Sequence, residues 1–145
     1  MALKGGLKTV DNILYRNIQI QGTSCYLCHG CSETTSHFLF ECNYSFMVLT
    51  RLIPYFQIFY LRPTIFQALD HIGGLSVADN IKKGMLLILN AIIYFLWNEC
   101  NIRCFNSNVV FVVTLTKKIS RAIYLKVYRW KNGDFLKDIL NLKHK

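Results

Sequence analysis

Four residues in the first third of the chain, Cys25, Cys28, His37 and Cys42, have the types and the order of the ligands of a single metal ion. Their spacing, C-x2-C-x8-H-x4-C, lets the first two sulfurs share a tight turn and lets a short helical turn present the later pair. Three thiolates and one imidazole suit Zn²⁺. Four protein ligands leave no position for water, so the pattern predicts one structural zinc ion and no catalytic metal centre.

Two neighbouring residues leave the ligand set open. Cys31 is the main alternative, because Cys28 and Cys31 repeat the two-residue gap, and His29 lies in the same loop. A further alternative is that the quartet consists of ordinary buried thiols and a surface histidine. Cys100 and Cys104, one helical turn apart, could form a second site, but we interpret them as core thiols.

The residues around the quartet resemble the reverse-transcriptase zinc-binding domain of plant LINE-type (non-LTR) retrotransposons. Residues 7–14, LKTVDNIL, lead into the loop, and residues 33–45, ETTSHFLFECNYS, close it, as the family's "alkgRLkTkdrL" and "ETxxHLFFxCpyS" segments do. Residues 97–105, WNECNIRCF, are more weakly similar to its "WkeRNrriF" segment. The resemblance implies a module that follows a polymerase and helps to hold template RNA or target DNA.

The chain departs from the family's pattern at Gly6 and Cys100, where Arg is usual, and at Asn43, where Pro is frequent. None of these changes alters the quartet. The opening residues 1–4 are similar to the middle of the family's leading helix, which suggests a truncated descendant of a longer polyprotein. The resemblance extends over roughly residues 2–106.

Helical periodicity and breakers predict a mainly α, small helical domain with one zinc-knuckle-like Cys-Cys-His-Cys loop. A turn of helix over residues 36–40 should carry His37 and present Cys42 just past its end. Other helices are expected over residues 2–16, over residues 44–60 with a kink or an end at Pro54, and from Pro63 to the Gly73-Gly74 pair. We expect a zinc-binding-like unit over residues 1–106 and a basic helical extension over residues 107–145, packed on the same core.

The apolar run over residues 84–97 raises the question of a membrane. At 1.5 Å per residue it spans about 21 Å, short of a hydrocarbon core of about 30 Å, and Asn90 lies in its middle. Extending it to residues 81–100 admits Lys82, Lys83 and Glu99. The sequence therefore favours a buried core helix over a membrane anchor.

The formal net charge is +9, and basic residues are concentrated in the last part of the chain. On a helix, the basic side chains occupy one half of the circumference and the apolar ones the other. The predicted phosphate contacts are Lys117, Lys118, Arg121, Lys126 and Arg129, opposite Ile119, Ile123, Val127 and Trp130. Tyr124 and Tyr128 could stack on bases, and Arg16 and Tyr26 are candidate contacts near the metal loop. A solvated face and an anionic membrane surface are the alternatives.

The acidic residues are scattered singly, and no glycine-rich phosphate loop is present, so we expect no enzyme and no small-molecule substrate. Without a secretory pattern, the six cysteines indicate reduced thiols in a nuclear or cytoplasmic setting. The leading hypothesis is a zinc-stabilised module that binds RNA or DNA. One alternative is a protein-interaction module for a partner such as a reverse transcriptase, through an aromatic surface formed by Phe46, Tyr55, Phe56 and Phe59. The other is a small membrane protein anchored by residues 81–100.

Overall fold

The computed structural model describes residues 24–32, 34, 37–53, 64–106 and 108–129. These residues form one π-helical turn and four α-helices: His37–Glu41, α1 (Asn43–Leu52), α2 (Ile65–Gly74), α3 (Asp79–Asn106) and α4 (Val112–Tyr128). Over the same residues there is no strand, and one antiparallel bridge joins Ser24 to Ser32. The prediction of a mainly α domain is confirmed. The helix predicted over residues 2–16 lies outside the described residues.

Helix α1 begins directly after the last cysteine of the quartet and ends before a proline. Cys42 is its N-cap residue, with extended backbone angles, and Ile53 is its C-cap. Proline disfavours the α conformation of the residue before it, which explains an end close to Pro54. The predicted continuation over residues 54–60 lies outside the described residues.

Helix α2 begins with a capping box. The Thr64 hydroxyl accepts from the Gln67 N–H at 3.2 Å, and the Gln67 side chain accepts from the Thr64 N–H at 2.9 Å. Two N–H groups without an intrahelical partner are thereby satisfied. The helix begins at Ile65, after the Pro63 that was expected to start it, because Thr64 takes the cap position.

We expect Thr64→Ala to lower the free energy of unfolding by about 1 kcal/mol, because the substitution removes the hydroxyl that caps the Gln67 N–H. Urea unfolding followed by circular dichroism measures the change. Thr114→Ala is the matched control: Thr114 is exposed inside α4, where alanine is the better helix former. Equal midpoints for the two variants would contradict the capping role.

Helix α3 is the central element, packed against α1, α2 and α4. Its side chains Ile88, Leu89, Ile92 and Leu96 are almost completely buried, as expected for a core helix. It extends well beyond the predicted residues 84–97 in both directions. By length and composition alone α3 could cross a membrane, but a single such helix is weak evidence, since core helices of soluble proteins have the same properties.

Helix α4 lies against α1 and α3 through one apolar stripe. Leu115, Ile119, Ile123 and Val127 recur every four residues and are all buried. The stripe agrees with the apolar side predicted for the basic segment, except that Trp130 lies outside the described residues. The packing leaves the opposite side of α4 to solvent.

Candidate metal centre

The first two cysteines lie in a tight loop closed by backbone hydrogen bonds. The Cys25 N–H donates to the Cys31 carbonyl at 2.8 Å, and the His29 N–H donates to the Cys25 carbonyl at 2.8 Å. The Gly30 N–H points at the Cys28 sulfur, 3.5 Å away. His29 has a φ of 58°, in the left-handed region that a reversing chain requires. This turn puts Cys25 and Cys28 on the same side of the loop.

The π-helical turn positions the other two residues of the quartet. The Cys42 N–H donates to the His37 carbonyl at 2.7 Å, which is the five-residue bond of a π-helix. The Thr34 hydroxyl accepts from the His37 N–H at 3.0 Å and holds the start of the turn. The prediction of a helical turn that carries His37 and presents Cys42 past its end agrees with this geometry.

The turn is fastened to the core on both sides. The buried Ser45 hydroxyl donates to the Phe38 carbonyl at 2.6 Å, which ties the π-helical turn to α1. Phe38 and Phe40 are completely buried. Phe38 and Phe40 therefore anchor the turn that positions His37 and Cys42.

The four donor atoms of the quartet converge, all lying within 4.8 Å of one another. The sulfurs of Cys25 and Cys42 are 3.9 Å apart, and the Cys28 sulfur is 3.2 Å from His37 Nε2. A tetrahedral zinc ion with Zn–S bonds of about 2.3 Å requires sulfurs about 3.8 Å apart. A disulfide requires about 2.05 Å, and all six cysteines are free thiols. The quartet could therefore hold one metal ion.

The surroundings of Cys42 favour the thiolate form, which is the form that binds metals. The hydrogen bond from the Cys25 thiol, together with the nearby backbone N–H groups of Ser45 and Tyr44, lowers the pKa of Cys42 to about 5, against the effect of burial. The same sulfur–sulfur hydrogen bond, with burial, raises the pKa of Cys25. The pair thus shares one proton, which a bound cation would displace.

The two alternative ligands stay outside the cluster. Cys31 and His29 are both exposed, and neither belongs to the converging group. Cys100 is buried, as expected for a core thiol. The expectation for Cys104 is wrong, because its place near the end of α3 leaves it exposed.

A buried ion pair joins the loop over residues 24–32, which we call the metal loop, to the helical core. Arg103 Nε donates to Glu99 Oε1 at 2.9 Å, with both side chains almost completely buried. Arg103 Nη1 donates to the carbonyls of Leu27 at 3.1 Å and Tyr26 at 3.3 Å, both between the first two cysteines. Arg103 Nη2 donates to the Val110 carbonyl at 2.9 Å. One guanidinium therefore holds the metal loop, α3 and the α3–α4 connection together.

Tyr44 of α1 contacts the Arg103 side chain of this ion pair and one of its carbonyl partners. The Arg103 guanidinium carbon lies 4.5 Å from the centre of the Tyr44 ring, and the Tyr44 hydroxyl donates to the Val110 carbonyl at 2.6 Å. Burial raises the pKa of Tyr44 to about 12, so the hydroxyl remains a donor at neutral pH. We call Tyr44, Glu99 and Arg103 the clamp.

The sequence interpretation missed the clamp, although a signal was present. Glu99 and Arg103 are four residues apart, the spacing at which opposite charges meet on a helix. Both lie in residues 97–105, the segment with the weaker family resemblance. Nothing in the spacing showed that the pair would be buried or that it would meet the metal loop.

The predicted phosphate contacts of the basic segment are all exposed and spread over half of the circumference of α4. Lys117, Lys118 and Arg121 are exposed on the outer side of α4, and Arg129 is exposed just beyond its end. Lys126 is nine residues from Lys117, about half a circumference away. It lines an apolar groove between α3 and α4, with Leu87, Asn90, Ala91, Tyr94, Phe95, Ala122 and Ile123.

The remaining predicted contacts lie elsewhere. Tyr26 is half-buried against the core, and its carbonyl is engaged by Arg103. Arg16 lies outside the described residues. Of the aromatic surface predicted for a protein partner, Phe46 is half-buried against the core, and Tyr55, Phe56 and Phe59 lie outside the described residues.

Comparison with known proteins adds no assignment. No protein family, no curated protein and no solved structure matches the chain.

Proposed function

We propose that the chain is a non-catalytic, zinc-stabilised module that binds RNA or DNA and derives from a retrotransposon polyprotein. The observation that carries the zinc part is the convergence of three thiols and one imidazole within 4.8 Å. The retrotransposon origin rests on the motif residues around that quartet. The setting we propose is nuclear or cytoplasmic, with a reverse transcriptase as a further protein partner.

The metal acts on structure in this proposal. Its coordination supplies free energy on the order of 10 kcal/mol to a short loop without regular secondary structure. Arg103, on α3, then holds the loop and the α3–α4 connection in place by donating to the Leu27 and Val110 carbonyls. Function lies in the surface that this frame displays, because four protein ligands leave no open coordination position for a substrate.

The outer side of α4 is the surface best suited to phosphate groups. Lys117, Lys118 and Arg121 are exposed within little more than one helical turn, and α4 contains no acidic residue. The chain as a whole carries a formal charge of +9. Such a cluster neutralises phosphates and releases counterions, so its binding should weaken steeply as salt rises.

We expect Lys118→Glu/Arg121→Glu to lower the affinity for a short RNA about tenfold or more at moderate salt and to reduce the salt dependence by about two phosphate contacts. Fluorescence anisotropy at several salt concentrations measures both quantities. The matched control is Arg51→Glu/Lys83→Glu, which changes the net charge equally at two exposed positions on α1 and α3.

If the two charge-reversed variants lost RNA affinity equally, only the overall charge would matter, and a site on α4 would be refuted. An affinity that does not change with salt concentration would instead indicate an apolar protein interface. A chain that stays in solution only in detergent would favour the membrane alternative over both.

A further inference from the structure

Two phenylalanines flank the α3–α4 connection with their side chains in solvent. Phe105, in the last turn of α3, is 81% exposed, and Phe111, the N-cap residue of α4, is 76% exposed. Val109 between them is 58% exposed. Large apolar side chains exposed so close together along the chain stabilise no core and are typical of an interaction surface.

The backbone between the two rings is held firmly by the clamp. The Val110 N–H donates to Glu99 Oε1 at 3.0 Å. The Val110 carbonyl accepts from Arg103 at 2.9 Å and from the Tyr44 hydroxyl at 2.6 Å. Both backbone polar groups of Val110 are therefore hydrogen-bonded to the clamp. Phe111, directly after this fixed residue, has less backbone entropy to lose when a ligand binds.

Cations continue the surface along α4. A step of seven residues on a helix rotates the side chain by only about 20° and advances it by about 10 Å. Lys118 therefore follows Phe111 on the same side, and Tyr128, 66% exposed, follows Arg121. The outer side of α4 therefore carries, in chain order, the aromatic ring of Phe111, the two cations Lys118 and Arg121, and the aromatic ring of Tyr128.

Resting on the proposed function, we propose that the ligand is single-stranded nucleic acid, with unpaired bases stacked on Phe105 and Phe111 and phosphates bound by Lys118 and Arg121. In a duplex the base faces are already stacked on each other, so exposed phenyl rings would add nothing to its binding. Unpaired bases offer free faces, and stacking on aromatic side chains is the common way of holding them. The adjacent cations favour this polyanion over an uncharged apolar partner.

The test uses the full-length, zinc-loaded chain with a roughly 15-nucleotide mixed-sequence RNA, a length in the range of single-strand binding sites. Affinity is measured for the single strand and for the same sequence as a duplex. We expect the single strand to bind at least tenfold more tightly. We expect Phe105→Ala/Phe111→Ala to lower single-strand affinity by roughly 10- to 100-fold, with duplex affinity and salt dependence unchanged.

Phe66→Ala is the matched control, because Phe66 is also a largely exposed phenylalanine, 62% accessible, but lies on α2. It should leave every affinity unchanged. Circular dichroism and zinc content confirm that each variant is folded.

The outcomes separate this inference from the function on which it rests. Equal binding of single strand and duplex, or a double phenylalanine variant with full single-strand affinity, would overturn the stacking site while leaving the α4 phosphate site in place. No binding to either RNA would overturn both. Phenylalanine-dependent binding to phosphatidylserine vesicles in place of RNA would overturn the inference in favour of a membrane surface.

Discussion

We expect Cys25→Ser to abolish metal binding and to unfold the loop over residues 24–32, with loss of helical signal from the rest of the chain. Cys25 is completely buried, and its sulfur lies 3.9 Å from that of Cys42. A hydroxyl is a poor zinc ligand, and structural zinc sites contribute on the order of 10 kcal/mol to folding, which is comparable with the whole stability of a small domain. Elemental analysis should show one zinc per chain before the substitution and none after it. Circular dichroism follows the helices.

Cys31→Ser is the control for this experiment, because it makes the same atomic change in the same loop at an exposed position outside the cluster. Its backbone carbonyl, which accepts from the Cys25 N–H, is unaffected by the substitution. The Cys31→Ser variant should keep its zinc and its helical signal. Zinc retained by Cys25→Ser, or lost equally by both variants, would refute the assigned ligand set. A second pair, His37→Ala against His29→Ala, tests the fourth ligand in the same way.

We expect Arg103→Met to lower the free energy of unfolding by about 3–5 kcal/mol, the usual cost of leaving one partner of a buried ion pair alone. The substitution keeps most of the side-chain volume but removes the ion-pair partner of the Glu99 carboxylate, which is 3% exposed. It also removes the donors to the carbonyls of Leu27 and Val110. We expect weaker zinc binding as well, because the metal loop loses its anchor on α3. Urea unfolding and competition with a zinc chelator measure the two effects.

Arg51→Met is the matched control, since Arg51 is exposed in the last turn of α1. It should change stability by less than about 1 kcal/mol. The double variant Glu99→Leu/Arg103→Met removes both charges and should be more stable than the sum of the single changes indicates. Equal effects of Arg103→Met and Arg51→Met would show that the clamp contributes nothing to the fold.

Local chemistry in the sequence was sufficient to predict which cysteine and histidine side chains converge and where most of the described helices lie. The spacing of Cys25, Cys28, His37 and Cys42 identified the group that converges, because each pair is close along the chain and one turn of backbone brings it together. The predicted apolar positions Ile119, Ile123 and Val127 identified the buried side of α4, because helical periodicity is a local property. Proline and glycine marked the ends of α1 and α2 closely but missed the Thr64 cap.

Tertiary structure alone decided where these elements meet. Arg103 and Leu27 are 76 positions apart, so no spacing rule relates the clamp to the metal loop. Lys126 lines the groove between α3 and α4, whereas Lys117 lies on the outer side of α4. The helical pattern of basic residues could not predict this difference, because it depends on how α4 packs on α3. The exposure of Phe105 and Phe111 was likewise visible only in the tertiary structure. Periodicity reports which side of one element is apolar, while exposure depends on what the other elements cover, and that is set by the packing of the whole chain.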